Sequence, residues 1–164
     1  MASGDTLWTF FPADIRGGTT ATRTTRNSHS ILNFITSAVT TAIFEAVLVR
    51  NYAGGGIDAV VGWSSESSVT ASEQVRWSVS FERVGHAVLD IDADSFASAQ
   101  AATATPESTL GMLDHTEIAF TDGAQVDSIA IGEKYRVKLE RITTHVDDDM
   151  PDNAEMHFLE LREN

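Results

Sequence analysis

Val75, Trp77, Val79 and Phe81 alternate along the chain with Arg76, Ser78, Ser80 and Glu82. Successive side chains leave a strand on opposite sides, so this period of two predicts a half-buried antiparallel strand. The same alternation returns in Ile57, Ala59, Val61 and Trp63. It returns again in Tyr135, Val137 and Leu139, set against Lys134, Arg136, Lys138 and Glu140. Shorter apolar runs predict strands over 31–35, 42–49, 113–120, around 126–131, and over 154–161. In the last, apolar positions switch from Met156 and Phe158 to Leu159 and Leu161, which predicts either a bulge or a strand buried on both faces. Gly54, Gly55 and Gly56 break the pattern after 42–49, and a polar loop is expected over 64–72. Only 93–107 could form a helix of any length. Its small residues and single large apolar side chain, Phe96, read instead as an irregular excursion or one short helix. About eight strands between polar turns predict an all-β chain, an antiparallel β-sandwich or jelly roll over 31–164.

Residues 1–30 read differently, as an extended N-terminal arm. Trp8, Phe10 and Phe11 precede Pro12, and 17–30 is rich in Thr, Ser and Arg with almost nothing apolar. Such a stretch cannot build its own core, so its aromatics either fold back onto their own domain or anchor on a neighbouring subunit or partner. Trp8, Phe10, Phe11, Arg16, Arg23 and Arg26 are the candidate contact residues. Charge is uneven along the chain, which would suit self-association or docking through the N-terminal part and is equally explained by solubility. The first fifty residues set Arg16, Arg23, Arg26 and Arg50 against Asp5, Asp14 and Glu45, whereas 90–133 holds nine acidic residues and no Lys or Arg, within a chain of net charge −13. That balance weighs against nucleic acid as a partner, since phosphate contacts need clustered cations.

The chemistry-bearing residues do not assemble into a recognisable motif. There is no cysteine, hence no disulfide, thiolate metal site or thiol nucleophile. His29, His86, His115, His145 and His157 fall in neither H-E-x-x-H nor H-x-H spacing. No serine lies in a G-x-S-x-G elbow, and Gly54–Gly56 leads into Ile57-Asp58 rather than the Lys-Ser/Thr of a phosphate-binding loop. Asp90, Asp92 and Asp94 have the alternate spacing of a calcium loop, but Ser95 and Ala101 stand where its glycine and bidentate glutamate belong. That segment and the run Asp147–Asp149 read as solvated acidic turns. No catalytic, cofactor or metal residue is assigned, and a carbohydrate-active β-sandwich enzyme is the weakest reading because nothing singles out a carboxylate pair. No apolar run approaches the roughly 18–20 residues of a membrane helix. Residues 1–5 lack a signal peptide's basic start and apolar core, so synthesis in a cytosol is expected.

Over residues 11–163 the chain resembles the jelly-roll head decoration, or cement, proteins of tailed phages. The resemblance rests on 44–57 (FEAVLVRNYAGGGI), 75–84, Phe120-Thr121-Asp122-Gly123-Ala124-Gln125, and Asp148-Asp149-Met150 leading into 155–161. The family commonly carries a proline just before the Arg-Asn-Tyr element; Val49 stands there here. The resemblance implies a non-catalytic virion protein without a cofactor. It would sit on the exterior of an icosahedral capsid, bound to the major capsid protein, as a homotrimer bridging capsomers. The alternative is a phage fibre, knob or baseplate module that binds a host receptor. Such proteins usually add a repetitive or coiled-coil stalk, and none is seen in this sequence.

Overall fold

The computed structural model describes residues 4–67 and 70–164. Residues 1–3 of the expected arm and 68–69 of the expected 64–72 loop lie outside the described residues. Ten strands form: β1 (Thr6–Phe10), β2 (Thr22–Arg26), β3 (His29–Phe34), β4 (Thr40–Val47), β5 (Ile57–Ser65), β6 (Val75–Val84), β7 (Gln100–Ala104), β8 (Asp114–Phe120), β9 (Lys134–Arg141) and β10 (Ala154–Glu163). They make an antiparallel β-sandwich of the jelly-roll type. One sheet runs β2-β3-β10-β5-β8, with β1 also paired to β10, and the other runs β4-β9-β6-β7. Single 3-10 turns at Pro12–Asp14 and Ala124–Val126 are the only helical elements among the described residues, so no helix is long and apolar enough to cross a membrane.

Between the sheets lie the residues that alternation places inward. Trp63 and Trp77 meet edge to face with ring centroids 5.9 Å apart, Phe34 meets Trp77 at 5.0 Å, and Phe81 meets Phe120 at 4.9 Å. Edge-to-face contact suits rings with negative faces and positive edges. The Trp63 indole N–H donates to Thr116 Oγ1 at 2.9 Å, which satisfies a polar group the core would otherwise strand.

Three expectations change. First, β6 is buried on both faces: Ser78, Ser80 and Glu82 are as enclosed as the residues opposite them. The segment after β6 folds back over this face. Ala97 N–H donates to Phe81 O, Ser95 N–H donates to Glu82, and Phe96 lies beneath the Arg136 and Lys138 cations, 4.9 and 5.0 Å from its ring centroid. Second, no helix forms within 93–107; Gln100–Ala104 is instead the edge strand β7. Third, the strand expected around 126–131 is a 3-10 turn followed by Asp127 and Ser128 with φ of 55° and 53°. Consecutive left-handed residues turn the chain back on itself and cannot continue a strand.

Of the two outcomes offered for the N-terminal segment, the extended chain folds back onto its own domain. β1 pairs with β10, matching Trp8 to Leu161 and Phe10 to Leu159. Phe10 is 1% exposed and stacks on Phe44 at 5.1 Å. The chain then crosses to the other sheet. Arg16 N–H donates to Ile43 O (2.8 Å), and the Thr20 and Ala21 N–H groups donate to Thr41 O (2.8 and 2.9 Å). Residues 16–21 thus strap part of the β4 edge before β2 pairs with β3. In β10 the register shifts between Met156 and Phe158, so the bulge is the one of the two outcomes offered for the apolar switch that is seen here.

Candidate functional site

Of the segments that carry the family resemblance, 75–84 and 155–161 lie in the strands β6 and β10, while 50–56, 121–125 and 148–150 lie in loops at the two ends of the sandwich. At one end the Tyr52 hydroxyl donates to Asp122 Oδ1 (3.0 Å) and accepts from Gly56 N–H (3.1 Å). Burial, then the hydrogen bond to Asp122, push the Tyr52 phenol up to about 12. Glu163 accepts from Ala53 N–H at 2.6 Å, and Gln125 Oε1 accepts from Thr121 N–H at 2.7 Å. Gly56 has φ +118°, and a Cβ there would lie 2.5 Å from the Phe120 carbonyl oxygen, so glycine is required. The Asn-Tyr-Ala-Gly-Gly-Gly and Thr-Asp-Gly-Ala-Gln elements therefore form one latch.

The opposite end holds a second latch, which corrects the reading of Asp147–Asp149 as a solvated run for Asp148 alone. Arg141 is 0% exposed and Asp148 1%. Arg141 donates to both Asp148 oxygens (2.8 Å from Nη2, 3.1 Å from Nε), to Met150 O (2.8 Å) and to Asp152 O (2.7 Å). Asp148 and Asp149 also accept the Arg76 and Gln74 N–H groups, at 2.9 and 2.7 Å. Asp149 is exposed, and Asp147 is partly so, 3.4 Å from Arg76 Nη1. In the 90–94 turn, Asp90 Oδ1 accepts from Asp92 N–H and Asp94 pairs with Arg136 at 2.5 Å, so Asp94 is held by a cation of the protein itself. Among the described residues, no group of three or more His, Asp or Glu side chains converges as a metal ligand set.

The candidate contact residues separate. Phe10 is core. Arg23 is exposed on edge strand β2. Arg26 is held on the outer face of the larger sheet, donating to Ser65 O (2.8 Å) and Glu155 Oε2 (2.5 Å). Beside it, the His157 ring is 3.0 Å from Ser64 Oγ. Burial lowers the pKa of His157, and nearby His29 and Arg26 act in the same direction against Glu155. Phe11 is exposed just before the Pro12–Asp14 turn.

Trp8 and Arg16 are brought together, on the open side of the sandwich. With Glu45, Ala46, Val47 and Lys134 they line a trench of about 310 Å³. It adjoins a hollow of about 190 Å³ formed by Val84, Leu89, Ile91 and Arg136 and sharing Glu45 and Lys134. Trp8 is 46% exposed and Val47 51%, large values for apolar side chains of this size. Two cations converge on one carboxylate, Lys134 Nζ at 3.0 Å and Arg16 Nε at 3.7 Å from Glu45. The trench therefore combines apolar walls with one surplus positive charge. Such a surface can hold an apolar group beside an anionic one. Glu45, Val47 and Lys134 went unassigned in the sequence because they lie far from Trp8 in the chain. The available signal was that Glu45, Val47 and Lys134 share the outward phase of β4 and β9, where Val47 is an apolar residue among charged ones.

Neither a protein-family model nor a curated protein matches the chain. Solved structures with a similar fold include the CBM22-1 xylan-binding domain of Paenibacillus barcinonensis Xyn10C (13% identity, TM-score 0.49, covering 99% of this chain and 96% of that one). Another is the family 11 carbohydrate-binding module of Clostridium thermocellum Lic26A-Cel5E (7%, 0.44, 100% and 89%). A third is the cleaved adhesin domain of Lys-gingipain from Porphyromonas gingivalis (15%, 0.43, 96% and 90%). Likeness of this degree concerns the arrangement of the sheets and carries nothing about ligands.

Proposed function

We propose that this chain is a non-catalytic virion protein that decorates and stabilises the exterior of an icosahedral phage capsid. It would bind the major capsid protein and bridge capsomers as a homotrimer. The observation that carries the reading is the trench at Trp8. It is an exposed aromatic and aliphatic surface with a surplus cation, on a chain of net charge −13. Interface centres favour buried aromatic anchors and Arg, and an acidic remainder keeps densely displayed copies soluble. The resembling loops at 52–56, 121–125 and 148–150 support this role, because they build latches that stiffen a scaffold.

The test is the copy number of the chain in purified particles relative to the shell protein. Stoichiometry comparable to the shell subunit is expected. A few copies would move the chain to a vertex or tail appendage and favour the receptor-binding alternative; absence would overturn the proposal. Trp8→Ala is the variant of choice for contact. Deleting residues 1–15 would also withdraw Phe10 from the core and confuse binding with folding.

A further inference from the structure

The edge of β4 is covered along only part of its length. In an antiparallel strand the N–H and C=O of a residue point to the same side, and alternate residues point to opposite sides. Thr41 and Ile43 face away from β9. Their groups are occupied by the strap: Thr41 N–H donates to Thr20 Oγ1 (2.9 Å) and Ile43 N–H to Thr19 Oγ1 (3.0 Å), while Thr20, Ala21 and Arg16 donate to the two carbonyls. Leu48 N–H, in the opposite phase, donates to Glu133 O at 2.9 Å. Glu45 and Val47 continue the outward phase, but the strap ends at Arg16. Among the described residues their outward backbone groups have no partner.

Three other edge strands are managed. β2 carries Arg23 and Arg26, β8 carries Asp114, His115 and Glu117, and β7 lies against β8. The open stretch of β4 borders the trench, between the Trp8 ring and the Arg16–Glu45–Lys134 cluster.

We infer that the Glu45–Val47 edge is a strand-addition site. It would take an extended segment of the shell protein, with an apolar side chain in the trench against Trp8 and Val47 and neighbouring carboxylates paired to Arg16 and Lys134. Backbone hydrogen bonds from an open edge give affinity, and alternate side chains in adjoining hollows give specificity. The surplus cation selects an acidic segment. This assignment rests on the decoration reading for the identity of the partner, though not for the existence of the site.

The experiment measures amide hydrogen exchange at Glu45 and Val47 in the full chain, with two probes. One is a short synthetic peptide alternating Val and Asp, with a Val/Lys peptide as control. The other is purified shells of the source phage stripped of this chain. Both the Val/Asp peptide and the shells are expected to slow exchange at Glu45 and Val47. Val47→Pro removes an outward N–H without breaking a bond to β9, and should weaken binding about tenfold, the loss of one hydrogen bond. Trp8→Ala and Lys134→Glu should weaken it by at least as much, and circular dichroism checks that each variant is folded. Shell binding with unchanged exchange at these amides overturns the inference and leaves the decoration reading standing. Protection by the peptide without shell binding does the reverse, and failure of both probes overturns both. Protection that instead grows with protein concentration alone, with a doubled mass, would make a second copy the occupant and overturn the partner named here.

Discussion

Two arginine–carboxylate clusters in this molecule use the same chemistry to opposite ends. Arg141 and Asp148 are enclosed, and the guanidinium spends its remaining donors on backbone carbonyls of the 142–153 loop. Arg16, Lys134 and Glu45 meet in the open, at 3.0 and 3.7 Å, with more positive charge than negative. Burial makes the first cluster indispensable, because removing either partner strands a charge away from water. Exposure makes the second nearly irrelevant to folding, since solvent screens each ion. What it leaves is a cation and an apolar wall available to something else. The comparison teaches that the part of this protein that holds it together and the part that can act outward are separated in space.

The most severe test of that separation is Arg141→Met, which leaves Asp148 buried and unpaired. A loss of about 3–5 kcal/mol is expected in urea denaturation. Gly56→Ala tests the opposite latch. The left-handed backbone and the Phe120 carbonyl both oppose a side chain there, so about 1–3 kcal/mol should be lost by the same measurement. Tyr52→Phe removes the bond to Asp122 and orphans the Gly56 N–H, for about 1–2 kcal/mol. The same tyrosine gives a pH signature. Its pKa is higher folded than unfolded, so the unfolded chain loses the proton first. Its contribution to stability is complete below pH 10 and is lost as pH rises through about 12. A phenolate absorbance titration in which Tyr52 ionises near pH 10 would contradict the latch. Lys134→Glu should have the smallest effect, within about 1 kcal/mol of wild type in denaturation. A larger loss would mean that the open cluster also supports the fold.

Strands whose two faces differ in polarity were readable from the chain, as β5, β9 and the inward face of β6 demonstrate. β2 and β7 were not. Thr-Arg-Thr-Thr-Arg and Gln-Ala-Ala-Thr-Ala are edge strands with no inward apolar series, so their pairing depends on neighbours rather than on their own pattern. The burial of Ser78, Ser80 and Glu82 was hidden for a related reason, because their cover comes from a segment without periodicity. Asp148 was misread because a run of carboxylates looks the same whether or not an arginine awaits one of them. For the trench, Trp8 and Arg16 were visible as an aromatic and a cation near one end of the chain. Their meeting with Glu45, Val47 and Lys134 is a product of topology, which local spacing does not encode.

The pairing of β1 with β10 also has a temporal side. A chain is made from its N-terminus, and Phe10 has no partner strand until 154–163 has been synthesised. At roughly 5–20 residues per second, Phe10 waits for that strand for on the order of ten seconds. During that interval, neighbouring nascent chains present the same unpaired segment to one another. Crowding on polysomes should therefore govern the yield of folded protein more than the stability of the finished sandwich does.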